Sequence, residues 1–348
     1  MILKNVVAIP TTDPSGLIKL RDSIYAADLF TVATSHLKLF SWISLNEAPN
    51  ISEICTKFQI KERPADVMLT LLKSYNLITE KLGRFYLTEL AQEHLVDSAQ
   101  WCLEPYIASQ KNRSICLDML KVLQTGEPIS WGAEKDENEW AIAMEKEEFA
   151  ESFTSAMDSR GAYLAPAFAS SVDFSEYNRL LDIGGASGIY SVAVVQKYKN
   201  MTASVLEKPP VDKAARYSVN KREMADRVSV ISGDMFKEDF PQSFDVHLYS
   251  NVFHDWDTYN VKTLLKKSYD SLLPGGIILI HDAHINAEKT GPVEIAEYSV
   301  LLMSSTRGKC YSEKEMEDML IEAGFLNIEV IQTVAKRSVI KAKKNASS

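Results

Sequence analysis

The chain lacks most of what marks a secreted, membrane-bound or nucleic-acid-binding protein. Its four cysteines, Cys55, Cys102, Cys116 and Cys310, form no C-x-x-C pair. That spacing excludes a disulfide framework and a thiolate zinc site, and predicts free thiols in a reducing cytoplasm. No apolar run approaches the length needed to cross a bilayer. The opening MILKNVVAIPTTDPS has an apolar stretch too short for a secretory signal, broken at Pro10. Positive charge is also short: 38 Lys and Arg stand against 47 Asp and Glu, a net charge of −9. Polyanionic partners need the opposite balance, so neither nucleic acid nor an anionic membrane is expected. There is no internal repeat and no low-complexity tract.

What is present is a hydrophobic share of 46%, usual for a globular chain, over 348 residues. That length exceeds what one core usually fills, so more than one domain is expected. The most informative stretch is LLDIGGASG, residues 180–188. An apolar run ends in an acid, breaks into a turn with Gly184, Gly185 and Gly188, then opens a helical pattern from Ile189. This is the first strand, turn and helix of a doubly wound α/β domain. The glycines permit positive φ and let the backbone approach a ligand closely. They are set closer than in the dinucleotide fingerprint G-x-G-x-x-G. An acid directly before them would repel a pyrophosphate at the helix N-terminus. Asp182 suits a ligand that lacks phosphates and carries positive charge. S-adenosylmethionine, with its ammonium and sulfonium, meets both conditions.

From Asn178 onward strands and helices alternate. Strands are expected at residues 180–183, 203–207, 228–231, 245–249, 277–281, 328–333 and 338–342. Seven strands with helical crossovers make a mostly parallel sheet, and ligands bind outside the carboxyl ends of such strands. The residues just after each strand are therefore the ones to inspect. Glu207 ends the second strand and can accept from both ribose hydroxyls of an adenosine. Asp234 follows the third and can accept from an adenine amino group, with Met235 and Phe236 against the ring. Its structural alternative is an Asx-turn with two core residues. After the fourth strand comes Ser250-Asn-Val-Phe-His-Asp-Trp. Ser250 there falls to the cofactor, Asn251 to the substrate, and His254 titrates near neutrality and can take a proton from a substrate hydroxyl. Asp282, after the fifth strand, can hold that imidazole in one tautomer. His281 and His284 have loose spacing and no third ligand, so no metal is expected.

The first half reads as helical. Residues 17–42 carry apolar positions at helical spacing: Leu20, Ile24 and Ala27, and later Val32, Leu37 and Phe40. Residues 51–95 then read helix, a turn through Pro64, helix, hairpin around Leu82-Gly83, helix. That is a winged-helix pattern, yet it holds six basic and six acidic residues. A DNA reader needs excess positive charge, so a packing or dimerisation module is favoured. Further on, residues 127–140 form a loop, after which Phe149, Phe153 and Met157 share one helical face. That stripe is either core or the roof of a pocket for a flat apolar substrate.

Together LLDIGGASG, GDMF, SNVFHDWD, LLPGGIILIHDA and GKCYSEKEMEDMLIEAGF resemble the small-molecule O-methyltransferases that carry an N-terminal winged-helix dimerisation domain. These include plant phenolic and bacterial antibiotic-tailoring enzymes. The resemblance implies a Rossmann-like seven-stranded α/β methyltransferase domain preceded by a mainly helical winged-helix domain. The implied divisions are residues 1–100 for dimerisation, 101–170 for a helical connector and substrate lid, and 171–348 for catalysis. It implies a homodimer, S-adenosylmethionine as cofactor and a small hydroxylated, aromatic-type acceptor. The catalytic base falls on His254 and its orienting acid on Asp282. Substrate-lining positions fall on Phe153, Met157 and Arg160. A second acid usual in this family falls on Cys310, where a thiol cannot hold an imidazolium as a carboxylate does. Two other readings stay open: a methyltransferase-fold hydroxylase or decarboxylase, and a cofactor-sensing winged-helix regulator.

Overall fold

The computed structural model describes residues 2–129 and 145–346. Most of the loop expected over 127–140 lies outside those residues. Contacts group the chain into two compact units, each built from separate stretches. One comprises residues 1–18, 132–284 and 313–348; the other comprises residues 19–131 and 285–312.

The first unit holds a seven-stranded sheet. Its strands are β3 (Arg179–Ile183), β4 (Thr202–Glu207), β5 (Val228–Ser232), β6 (Val246–Ser250), β7 (Ile277–Asp282), β8 (Leu326–Gln332) and β9 (Ser338–Lys343), in the order β5-β4-β3-β6-β7-β9-β8. All seven expected strands are present, with boundaries shifted by one or two residues. The first five run parallel, and β9 pairs antiparallel with both β7 and β8. Every residue of β6 and β7 is buried. This is why VHLYS and IILIHD read as nearly unbroken apolar runs and not as alternating ones. The core gathers Leu180, Val205, Val246, Leu248, Ile277 and Leu279 with Phe168 and Val192 from flanking helices. Strand β3 lies between β4 and β6, so the chain winds away from it in two directions. At such a switch point the loops after β3 and β6 diverge and leave a crevice at their carboxyl ends.

Among its described residues the second unit has helices and one hairpin, of β1 (Ile78–Lys81) and β2 (Arg84–Leu87). Leu82 at φ 52° and Gly83 at φ 74° make the two-residue turn. Two successive positive φ values match the right-handed twist of the paired strands. The helix Ile51–Phe58 starts from a capping box in which Asn50 and Glu53 bond each other's backbone N–H.

Two expectations fail here. Pro64 makes no turn; it sits in the first turn of the helix Glu62–Ser74. A proline there removes no helical hydrogen bond, because the first N–H groups have no intrahelical acceptor. Residues 17–42 do not form one amphipathic helix either. The stretch breaks into Ser15–Asp22, Ala26–Thr31, a π-helical turn over Val32–His36, and Leu39–Leu45 after Lys38 at φ 53°. Leu20 and Ile24, expected to face a core, are 70% and 53% exposed, and Ala27 is exposed as well. After the break at residues 23–25 the next helix buries Ala26 and Leu29 instead, while Val32, Leu37 and Phe40 are buried as their spacing suggests.

Candidate active site

The turn after β3 is shaped by its glycines. Gly184 and Gly188 take φ of 69° and 73°, and Gly188 stands at the start of the helix Ile189–Lys197. Gly185 is required for a different reason. A Cβ there would lie 2.5 Å from Cγ of Asp182, so the turn closes directly over that carboxylate. Asp182 is fully buried; its Oδ2 accepts from Ser191 Oγ at 2.8 Å and its Oδ1 has no hydrogen-bond partner. Burial with so little compensation pushes its pKa up to about 6, against the Ser191 bond. Asp182 thus does not face open space but lies directly behind the turn. A buried carboxylate one partner short, under a glycine cradle, fits a cationic cofactor.

Glu207, half-buried at the end of β4, faces the same turn. Its Oε1 accepts from the N–H of Ala186 at 2.9 Å and its Oε2 from its neighbour Lys208 at 3.1 Å. Burial outweighs these bonds and raises its pKa to about 7. Asp234 closes an Asx-turn on the N–H of Phe236 at 2.9 Å, while Met235 and Phe236 are half-buried and not core. Met235 approaches Gly184: its sulfur would lie 3.9 Å from a Cβ built there. The Phe236 ring is taken up by Trp256 in an edge contact at 4.5 Å.

The loop after β6 carries the reactive candidates. Asn251 adopts φ 56°, and its Nδ2 donates to Ser250 Oγ and to Tyr190 OH, both at 3.2 Å. His254 is buried in a short 3-10 turn, Phe253–Asp255. Its Nδ1 meets Asp282 Oδ1 at 2.5 Å, while Nε2 lies 3.6 Å from Asp255 Oδ1. Burial alone would lower the His254 pKa; the Asp282 and Asp255 carboxylates outweigh it and hold the imidazole above its ordinary value. Asp282 goes the other way: burial alone would raise it, but His254 overcomes that and keeps the carboxyl well below the usual range. Burial raises Asp255 to about 6. His281 bonds Ser250 and Thr333, and His284 bonds Ser338; burial drops their pKa values to about 3 and about 4, so both are neutral polar elements of the core.

Phe153, Met157 and Arg160 lie half-buried along the helix Glu147–Ser171. The Phe149 and Phe153 rings stack at 6.4 Å and pack with Ala150 on Val211. Arg160 is close enough for its charge to act against protonation of His254 and to favour ionisation of Asp255. Cys310 belongs to the other unit, is buried, and donates its backbone N–H to Ser299 Oγ at 3.1 Å. Besides Asp282, the carboxylate that favours the charged form of His254 is that of Asp255. The D of the HDW run was a signal for it. Sequence reasoning also passed over Tyr190 and over Gly161, whose missing side chain admits Ile189; a Cβ there would be 2.5 Å from Ile189 Cγ2.

A doubly wound sheet with a glycine turn over a buried acid, and a histidine–carboxylate pair in the loop after the adjacent strand, is the arrangement of a nucleoside-cofactor enzyme of the methyltransferase class. Residues 122–326 match the family model for an O-methyltransferase domain, and the chain belongs to that family. It is 25% identical over 321 residues to 3-hydroxy-5-methyl-1-naphthoate 3-O-methyltransferase of Streptomyces sahachiroi, covering 92% of this chain and 91% of that one. A crystal structure of an O-methyltransferase family 2 protein from Planctomyces limnophilus DSM 3776, in complex with apigenin, superposes with a TM-score of 0.88. Identity there is 29%, and coverage is 99% of this chain and 100% of that one. Human N-acetylserotonin methyltransferase, solved with S-adenosylmethionine, shares the fold at a TM-score of 0.61 and 18% identity, covering 97% of this chain and 100% of that one. The protein is an S-adenosylmethionine-dependent O-methyltransferase. No helix among its described residues is long and apolar enough to cross a membrane.

Proposed function

We propose that the enzyme methylates a hydroxyl of a small aromatic molecule, with His254 as general base. The observation that carries this reading is the 2.5 Å contact of His254 Nδ1 with Asp282, in the loop next to the glycine turn. With Nδ1 committed to the carboxylate, the lone pair sits on Nε2, which can accept the hydroxyl proton as the oxygen attacks. S-adenosylmethionine supplies the electrophilic methyl group. Gly184, Gly185 and Gly188 let the backbone come close to it, with Asp182 behind them. Glu207 supports the ribose, Asp234 and Met235 the adenine, and Ser250 with Asn251 the mouth of the site. Asp282 and Asp255 stabilise the imidazolium that forms. Phe153 and Met157 give the acceptor an apolar surface, and Arg160 adds a charged donor on the same helix. Cys310 is assigned to the acceptor by the family resemblance alone. The relatives that act on a naphthoate or hold apigenin support an aromatic acceptor.

The test is incubation of purified enzyme with labelled cofactor and a panel of phenols, read by mass spectrometry. A gain of one methyl supports the reading. A gain of oxygen or a loss of carbon dioxide would mean hydroxylation or decarboxylation by the same fold. The balanced charge of the hairpin-bearing helical region supports dimerisation and not DNA binding. Exposed Leu20 and Ile24 agree with an unfilled contact surface. Analytical ultracentrifugation showing a monomer at micromolar concentration would remove the dimer. Four free cysteines support a reducing, cytoplasmic setting.

A further inference from the structure

The proposed chemistry does not use one buried charge pair on the acceptor helix. Arg222 caps the helix Val211–Lys221, and its side chain is wholly buried. Its Nη2 donates to both oxygens of Asp158, at 2.8 and 2.7 Å, and its Nε donates to the carbonyl of Leu3 at 3.1 Å. Asp158 lies between Met157 and Arg160 on the helix Glu147–Ser171. The Leu3–Val6 segment is itself fastened. Gln196 bonds the Lys4 carbonyl at 2.7 Å and the Val6 N–H at 2.8 Å, and the Val6 side chain is fully buried in the core of the sheet unit. Farther along, Tyr163 of the same helix donates to Asp13 at 2.8 Å.

The geometry matters because this half of the helix buries few of its own residues. Before Gly161 its only buried residues are Ala150 and Thr154. A buried guanidinium left without acceptors is strongly unfavourable, so Arg222 fixes where Asp158 must sit. Such pairs set position more than they add net stability.

We propose that Arg222 is a positioning residue for the acceptor. By holding Asp158 and the Leu3 carbonyl together, it fixes the half-helix that presents Phe153, Met157 and Arg160. Residues Leu3–Val6 thereby belong to the acceptor-binding machinery, although they touch no reacting atom. The inference rests on reading that helix face as the acceptor surface.

Three variants test it: Asp158→Asn, Arg222→Met, and a chain lacking residues 2–6. Each should raise the acceptor KM about tenfold while S-adenosylhomocysteine Kd stays within about twofold. The double variant Asp158→Asn with Arg222→Met should be no worse than either single one, because the two act as a unit. Asp158→Glu should recover part of the affinity. Hydrogen exchange should quicken in peptides from 149–160 and stay unchanged over Glu62–Ser74. Unchanged KM together with unchanged exchange overturns the proposal. So does a fall in melting temperature with KM intact, or an equal loss of cofactor affinity. If the parent enzyme methylates no phenol, the functional reading fails by itself. Exchange then decides the clamp alone: acceleration confined to 149–160 upholds it, and none refutes it.

Discussion

His254 and Asp282 meet across neighbouring strands, Nδ1 to Oδ1 at 2.5 Å, one just past β6 and the other at the last position of β7. That contact fixes the tautomer on which the proposed chemistry depends. Replacing His254 by Ala should lower kcat by about 10²–10⁴. Cofactor-product affinity, read by calorimetry, should stay within about twofold, since a general base acts in the transition state and not on the cofactor. Full turnover in that variant would remove His254 as the base.

The charge balance around the imidazole gives a pH signature. The base works when neutral. Burial favours that form, yet the Asp282 and Asp255 carboxylates prevail and hold its pKa above the ordinary 6.5. Activity should therefore fall as pH drops through that raised value. Asp282→Asn removes the carboxylate that does most to favour the imidazolium, so its acid limb should move to lower pH. Its maximal rate should also fall, because the amide no longer fixes the tautomer. A kcat/KM profile of both enzymes checks this; an acid limb that stays in place or rises would contradict it.

Cofactor affinity should itself depend on pH. Asp182 and Glu207 have pKa values raised to about 6 and about 7 by burial. A cation at the glycine turn favours ionised Asp182, and ribose hydroxyls donating to Glu207 favour its ionised form. Both pKa values must then fall on binding, and protons are released. Affinity should rise from about pH 5.5 to about pH 8. Calorimetry in buffers of different ionisation enthalpy counts the protons; no release near neutrality would separate these acids from the cofactor.

Gly185→Ala should damage binding without unfolding the sheet. The added methyl would lie 2.5 Å from Asp182 Cγ and under 3 Å from both its oxygens. Either the carboxylate swings away from Ser191 or the turn opens. Overpacking of this kind amounts to about 1–3 kcal/mol, or about 5–150-fold in cofactor affinity. Circular dichroism should stay near that of the parent. Unchanged affinity would mean the turn is not part of the cofactor site.

The sheet was legible because buried parallel strands leave apolar runs with glycine or acid at their ends, as in residues 180–188 and 277–282. The His254–Asp282 pairing was legible from strand ends alone, since adjacent parallel strands bring their carboxyl termini together. Apolar spacing misled at Leu20 and Ile24, because periodicity defines a face only while the helix continues, and this one stops at Asp22. The Arg222–Asp158 pair was invisible. It joins positions 64 apart in the chain, and nothing local distinguishes either residue from a solvated charge. Gly161 was hidden in the same way: a lone glycine inside an amphipathic helix reveals its purpose only when Ile189 is seen against it.

Strand β9 is threaded between β7 and β8, so residues 338–343 fill an interior place in the sheet. The first unit also draws in Val6, whose hydrogen-bond partner Gln196 lies 190 positions onward. During synthesis, β7 must therefore wait with one side unpaired until the 338–343 segment has left the ribosome. A nascent chain stalled before that point presents Ile278 and Ile280 on a bare apolar ribbon, the kind of edge that pairs with strangers. Assembly of this enzyme should consequently be slow, since its distant pairings can form only late.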